Sequence, residues 1–331
     1  MSKVAVIIPT YKAHDTIKRT LASIYTQTVL KDINVYLAVD GEEEGSYDYL
    51  LGTFSRLLDI NIIYGKVNGG PAIARQLGIN NSKEPYITFI DADDTFESAY
   101  AIEKMLFYME LDPTIVRLIS TFYEETANKQ TIAHTNDHVW MHGKMFRRTF
   151  LDTHKIRFND TRACEDVGFN RKIDMLENKQ ERTQEIQEVT YHWMYRHNSI
   201  VRQEDNSYTY REAIIGLADN ITDVYNFMVK KGIMKNPTLK HIHLKVHRLL
   251  VDQFASMWIM YNHTLYIRKE YAEEVLKGIR KFYKNTYKKI PKDFIKMYET
   301  SIVTHKQNEH DLSRVEISLT FKQFKEMILN E

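Results

Sequence analysis

The residues best equipped for chemistry form a short acidic run, Asp91-Ala92-Asp93-Asp94, placed directly behind the apolar stretch Tyr86–Ile90. Carboxylates leaving the end of a strand are hard oxygen ligands, and Asp91 with Asp93 suit Mg²⁺ or Mn²⁺. An ion held there would bridge a diphosphate and neutralise the charge that builds on a leaving group. Acidic triplets are also common in turns, and Asp94 ahead of Phe96–Met105 reads equally as a helix cap. A second acidic pair, Glu165-Asp166, precedes Gly168-Phe169 at the start of a helical pattern. Two adjacent carboxylates raise each other's pKa towards that of a useful base, although a cap with a solvated glutamate uses the same letters.

The elements that must position these groups alternate through the first half of the chain. Val4–Ile8, Val35–Val39, Ile60–Tyr64 and Tyr86–Ile90 are short β-branched runs. Each is followed by an amphipathic stretch, at Ile17/Leu21/Ile24, Tyr47/Leu50/Leu51/Phe54, Ile73/Leu77 and Ala101–Met109. That alternation predicts β-α units around a mostly parallel sheet, and ligands of such sheets bind outside the carboxyl ends of the strands. The loops there are Pro9–Lys12, Asp40–Glu44 and Asp91–Thr95. From about residue 112 the pattern mixes strand-like pieces at Ile115–Tyr123, Thr131–His134 and Val189–Trp193 with polar loops. Beyond about residue 205 helical patterns take over, at Ile214–Lys231, Leu239–Ile267 and Tyr271–Tyr287, punctuated by Pro237 and Pro291. The expected organisation is an α/β catalytic domain over residues 1–204 and a helical domain over 205–331.

Composition sets the outer bounds. The 331 residues, 43% hydrophobic and 27% charged, describe a folded chain and exclude a disordered tail. Cys164 is the single cysteine, which excludes internal disulfides and multi-cysteine metal sites and points to a reducing cytoplasm. The opening MSKVAVIIPTY lacks a secretory pattern, and no run of about 18 apolar residues suggests a membrane span. Residues 1–204 hold 24 Lys+Arg against 29 Asp+Glu, whereas residues 205–331 hold 21 against 15, so the two parts have opposite sign.

The ordered series carries more than any single motif. Ala5–Tyr11 (AVIIPTY) is followed by Asp40, by Asn68-Gly69-Gly70-Pro71-Ala72-Ile73-Ala74-Arg75, and by Asp91 and Asp93. Then come Gly143–Arg148, Cys164-Glu165-Asp166-Val167-Gly168-Phe169 and Trp193–Ile200. Over residues 2–202 the chain resembles the family 2 inverting glycosyltransferases with a GT-A fold. The resemblance implies that Pro9, Thr10 and Tyr11 hold the nucleobase, usually uracil, with Tyr11 stacking and Asp40 accepting from the ring N–H. Where the family often has a double aspartate this chain has Val39-Asp40-Gly41. Gly69 and Gly70 would bring the backbone close to the donor at a helix N-terminus, with Arg75 near the diphosphate; a plain turn explains the glycines as well. The resemblance further implies Asp91 and Asp93 as metal ligands, Asp166 as the general base beside Glu165, and Arg196 with Ser199 in a loop over the diphosphate. Trp140, His142 and Lys144 would face the sugars, the ring stacking on a pyranose, unless Trp140 is core. His192 and His197 flank the loop, where either could approach the metal or the diphosphate, although a histidine there is more often structural.

The acceptor is where the reading divides. Residues 240–292 hold 12 Lys+Arg, 4 Asp+Glu and several aromatic residues, a surface suited to a polyanion, or else a solvated helix face. His138–Asn170 resembles glycosyltransferases of large tailed phages, which implies hydroxymethylated bases of DNA in a host cytoplasm as acceptor. The competing acceptor is a cell-envelope polymer, teichoic acid or a capsular polysaccharide; the sequence leans slightly to DNA. Two readings of other classes are a nucleotidyltransferase and a non-catalytic DNA-binding module. The first usually shows a glycine-rich basic loop after its first strand, where Pro9-Thr10-Tyr11 stands here.

Overall fold

The computed structural model describes residues 2–197, 199, 206–309 and 319–330. The chain folds as two compact units, one formed by residues 1–160 and 176–197 and the other by 161–175 and 198–331.

In the first unit, β1 (Val4–Thr10), α1 (Ile17–Tyr25), β2 (Ile33–Val39), α2 (Tyr49–Phe54), β3 (Ile60–Tyr64), α3 (Pro71–Asn81) and β4 (Tyr86–Phe89) follow the expected alternation. After them come β5 (Thr95–Phe96), α4 (Ala101–Leu111), β6 (Ile115–Glu125), β7 (Thr131–His134), β8 (Lys144–Arg147), α5 (Arg148–His154) and β9 (Arg182–Trp193). Among the described residues the strands form one nine-stranded sheet in the order β3-β2-β1-β4-β8-β6-β9-β5, with β7 on β6. It is parallel from β3 through β4, and β9 runs parallel to β6, whereas β8 is antiparallel to both its neighbours.

β1 is an unbroken apolar run because both of its faces are covered, as parallel strands require. Val4, Val6 and Ile8 pack in one core with Ile17, Leu21 and Ile24 of α1 and with Ile102 and Met105 of α4. Ile7 points to the other face, against α3. Gly78 allows that approach, since a Cβ there would lie 2.3 Å from Ile7 Cγ2. With β1 flanked in parallel by β2 and β4, their carboxyl ends stand side by side, and the loops after Thr10, Val39 and Phe89 open on one edge.

Two local expectations change. Thr95–Phe96 pairs with β9 as a strand and α4 starts only at Ala101, so Asp94 caps no helix. β8 and α5 were not foreseen, because KMFR is too short and too charged to show a strand period.

The second unit is helical, with α6 (Glu165–Leu176), α7 (Ala213–Lys230), α8 (Lys240–Ile267), α9 (Ala272–Asn285), α10 (Lys292–Glu309) and α11 (Phe321–Leu329). Its centre is aromatic: Phe254 of α8 packs against Phe282, Tyr287 and Phe324, and the Trp258 indole donates to the Leu319 carbonyl at 2.8 Å. The division differs from a cut at residue 204, because residues 161–175 pack with the helices. A Cβ on Gly216 would lie 2.4 Å from the Ala163 carbonyl oxygen, and one on Gly168 would lie 2.5 Å from Asn220 Oδ1. Lys172 forms an ion pair with Asp223.

Candidate functional site

Four segments of the first unit converge on the acidic run. Arg75 comes from α3, Asp91–Asp94 follow β4, His142 precedes β8, and Tyr191–Arg196 end β9 and the chain just beyond it. The Tyr191 hydroxyl is the joint. It donates to Asp94 Oδ2 at 2.5 Å and accepts from the Asp91 amide at 3.2 Å. The other Asp94 oxygen accepts from the Met194 amide at 2.8 Å, so this side chain, 1% exposed, ties the turn to β9.

The electrostatics separate the three carboxyls. Burial works against the charge of Asp91, but the Arg75 guanidinium at 2.8 Å and the His142 ring at 3.7 Å outweigh it and hold the carboxyl well below its usual range. Burial, and then the charge of Asp91, push Asp93 up against the pull of Arg196, which stands 3.3 Å from its Oδ2. Burial, with the charges of Asp91 and Asp93, pushes Asp94 well above the ordinary carboxylate value. Three carboxyls within four residues thus repel one another beside two arginines and a histidine, and the repulsion that raises Asp93 and Asp94 is what a divalent cation would relieve.

Ligand atoms of Asp91, Asp94 and His142 lie within 4.8 Å of one another, a group able to hold a metal ion. His142 is stacked on Tyr191 at 4.7 Å, and its Nδ1 is buried with no hydrogen-bond partner among the described residues. The sequence expectation set Asp91 and Asp93 as ligands and His142 on the sugar. The structure instead puts His142 beside Asp91, with Asp93 turned to Arg196. His192 pairs with Glu97 at 2.9 Å, and His197 is exposed.

At the nucleobase end the placement is mixed. Tyr11 is 46% exposed, its ring covered on one side by Lys12 at 5.1 Å, and Pro9 is half-buried behind it. Thr10 is buried and donates its hydroxyl to the Ile8 carbonyl, so it offers nothing to a ligand. Asp40 accepts from the Gly69 and Gly70 amides at 2.9 and 2.8 Å. Those amides, expected to be free for an anion, are held by a side chain instead. Gly41, at φ +73°, lets this loop close, since a Cβ there would lie 2.1 Å from the Asn68 nitrogen.

The expected sugar contacts also sort themselves. Trp140 belongs to an aromatic cluster with Phe122, His142 and Trp193. Lys144 is wholly buried and donates to the Trp140 carbonyl at 2.5 Å, with Asp137 at 3.4 Å, which corrects its placement on a sugar. Asp166 and Glu165 open α6 in the second unit. Asp166 Oδ1 accepts from the Val167 amide at 2.8 Å and Glu165 is buried. Ser199 is half-buried, and Asn198 and Ile200 of the same motif lie outside the described residues. Tyr191, the joint of the acidic site, carried no signal in the sequence: a tyrosine on a strand reads as core until its hydroxyl partner is known.

Residues 5–164 match the model for "Glycosyl transferase family 2". Glycosyltransferase GlyA of Streptococcus pneumoniae is 36% identical over 99 residues, 30% of this chain and 14% of that protein. The putative teichuronic acid biosynthesis glycosyltransferase TuaG of Bacillus subtilis is 28% identical over 108 residues, 32% of this chain and 42% of the relative. The aligned parts thus span less than half of these relatives. Among solved structures, S. aureus TarS 1-349 in complex with UDP-GlcNAc superposes with a TM-score of 0.70 at 13% identity, covering 92% of this chain and 88% of that one. The mannosyltransferase PcManGT of Pyrobaculum calidifontis, in complex with GDP-Man and Mn²⁺, gives a TM-score of 0.53 at 13% identity over 99% and 85%. At such identity these superpositions speak for the fold, the GT-A α/β sheet followed by a helical region.

Proposed function

We propose, from the premise that residues 5–164 belong to glycosyl transferase family 2, that the whole chain transfers one sugar from a nucleoside diphosphate donor to an acceptor hydroxyl with inversion. The observation that carries this reading is the acidic turn Asp91–Asp94, whose Asp91 and Asp94 cluster with His142, with Arg75 and Arg196 at its rim. Asp91, Asp94 and His142 would hold Mn²⁺ or Mg²⁺, joined by Asp93 once Arg196 leaves it for the donor, in keeping with the Mn²⁺ in the PcManGT complex. A bound divalent ion supplies positive charge to the departing diphosphate.

The chain's own residues do the rest. Asp94, pinned by Tyr191 and Met194, fixes the turn. Arg196 turns from Asp93 to a phosphate oxygen, where its fork binds in a bidentate manner. Tyr11 offers its open face to the base and Asp40 an acceptor at the same strand end; the UDP-GlcNAc in the TarS complex favours a uridine donor. Asp166 takes the acceptor proton as that oxygen bonds to the anomeric carbon, and the diphosphate leaves with the electron pair of the broken C–O bond. Glu165 stays buried as support for that turn.

For the acceptor, the description of TuaG favours an anionic polymer of the cell envelope. Nothing in the comparisons supports DNA or a phage source, and we set that reading aside. Among the described residues no helix is long and apolar enough to cross a membrane.

The test is calorimetry with UDP and Mn²⁺ alongside transfer assays. Asp93→Asn should weaken metal-dependent UDP binding and abolish transfer. Asp166→Asn should leave UDP binding intact and lower transfer by about 10²–10⁴-fold, the usual weight of a general base. Undiminished turnover in the Asp166 variant would overturn the base assignment, and metal-independent UDP binding would overturn the metal site.

A further inference from the structure

The helical unit carries a surface that the transfer chemistry leaves unused. Ala272, Val275, Ile279 and Phe282 bury one face of α9. The opposite face presents Lys277, Lys281 and Lys284, and Lys288 follows in the turn behind the helix, at intervals of four, three and four residues. All four are exposed, as are Lys289 in the same turn and Lys292 and Lys296 on the first turns of α10. Residues 277–296 contain seven lysines and one arginine against a single acid, Asp293.

A solvated helix face normally interleaves both signs, because acid–base pairs three or four residues apart support the helix and like charges at that spacing weaken it. Here neutralisation stops partway. Lys277 reaches Glu273 at 3.3 Å and Lys281 reaches Asp219 at 2.8 Å. For Lys284, Lys288, Lys292 and Lys296 no carboxylate lies within ion-pair distance among the described residues. Lys289 sits over the Tyr225 ring at 5.3 Å, extending the surface onto α7. Neighbouring side chains on a helix face stand roughly 5–6 Å apart, so the four lysines from 277 to 288 form a line of cations rather than a pocket.

A line of ammonium groups suits a flexible chain with one charge per repeat. Lysine is a point charge on a mobile stem, whereas recognition of single phosphates or carboxylates favours the fixed fork of arginine, which this face nearly lacks. We propose that the α9–α10 lysine face binds the acceptor as an anionic glycopolymer, holding several successive repeats by charge while one terminal unit reacts elsewhere. The identity of this polymer as acceptor rests on the proposed function; the binding itself does not.

The experiment uses the full chain and the variant Lys284→Ala/Lys288→Ala/Lys292→Ala/Lys296→Ala. Binding to poly(glycerol phosphate), to polygalacturonate and to duplex DNA is measured against salt concentration. For the unaltered chain we expect tight, salt-dependent binding to at least one glycopolymer, and weaker binding to DNA. In the variant the slope of log K against log salt should fall by roughly three, the number expected when four lysines stop displacing counterions from a single-stranded polyanion. UDP binding with Mn²⁺ should stay as it was, which shows that the variant is folded. Equal polymer affinity and slope in the two proteins would overturn the proposal, and so would preferential binding of DNA. A chain that binds the polymer through this face but never turns over a sugar nucleotide would sink the transferase reading and leave this one standing.

Discussion

At the scale of single residues, the division of labour among Asp91, Asp93 and Asp94 follows from what faces each carboxyl. Tyr191 makes the sharpest test, because one hydroxyl serves both Asp94 and the Asp91 amide. Tyr191→Phe should cost about 1–3 kcal/mol in a denaturant titration, the usual penalty for unpairing buried polar groups. It should also weaken Mn²⁺ binding; a variant as stable and as metal-responsive as the parent would remove Tyr191 from the site. The pH dependence has a definite sign. Asp93 and Asp94 have raised folded pKa values, so their contribution to stability is fully present below the unfolded value of about 3.9 and is lost as pH climbs through the folded ones. Asp91 has a lowered pKa and acts oppositely, losing its contribution as pH falls through the folded value. Above the unfolded range the metal-free protein therefore bears two carboxylates that resist ionisation, and a cation competes with their protons. The gain in melting temperature on adding Mn²⁺ should grow as pH rises from about 4 towards 7. A gain independent of pH would mean that metal and protons do not share these carboxyls.

At the scale of elements, legibility followed the length and uniformity of the signal. β1 to β4 and their helices were readable because each strand is a solid apolar run buried on both faces, a pattern with few alternatives. β8 was not, since its Lys144 is charged yet wholly buried, its ammonium satisfied by a carbonyl and a carboxylate that no spacing reveals. The acidic turn was legible as a candidate, whereas its completion by His142 and Tyr191 was not, because a mixed sheet brings together residues about 50 and 100 positions apart. Nor did the sequence show that the turn carrying Asp166 is braced by α7. Asn220, fully buried, donates to Thr161 Oγ1 at 2.9 Å and to the Ala163 carbonyl at 3.0 Å, just ahead of Cys164-Glu165-Asp166. If Asp166 is the base, Asn220 is a positioning residue for it. Asn220→Ala should lower kcat roughly ten- to hundredfold with the donor KM unchanged, as a misplaced reacting group does. Loss of donor affinity in step with kcat would point instead to general unfolding.

At the scale of the whole molecule, the two units are not stretches of chain laid end to end: the second takes a segment from the middle of the sequence. A cut at residue 204, natural from composition alone, would keep Asp166 in the chain but remove α7 and with it Asn220, Gly216 and Asp223, the partners of residues 161–175. The first unit owns its nine-stranded sheet, its apolar core and the acidic turn, so a fragment ending at residue 197 should still bind UDP with Mn²⁺. Within that fragment α6 has lost the helix it packs on, and the base loses its support. Transfer to any acceptor should therefore fall by about 10²–10⁴-fold, matching the Asp166 substitution rather than the mild loss expected if the helices served only to hold polymer. The lysine variant of the intact chain gives the contrast, since it should keep turnover on a single-repeat acceptor. If the fragment, still folded, transferred sugar to such an acceptor at the parent rate, the brace on α7 would not belong to the reaction.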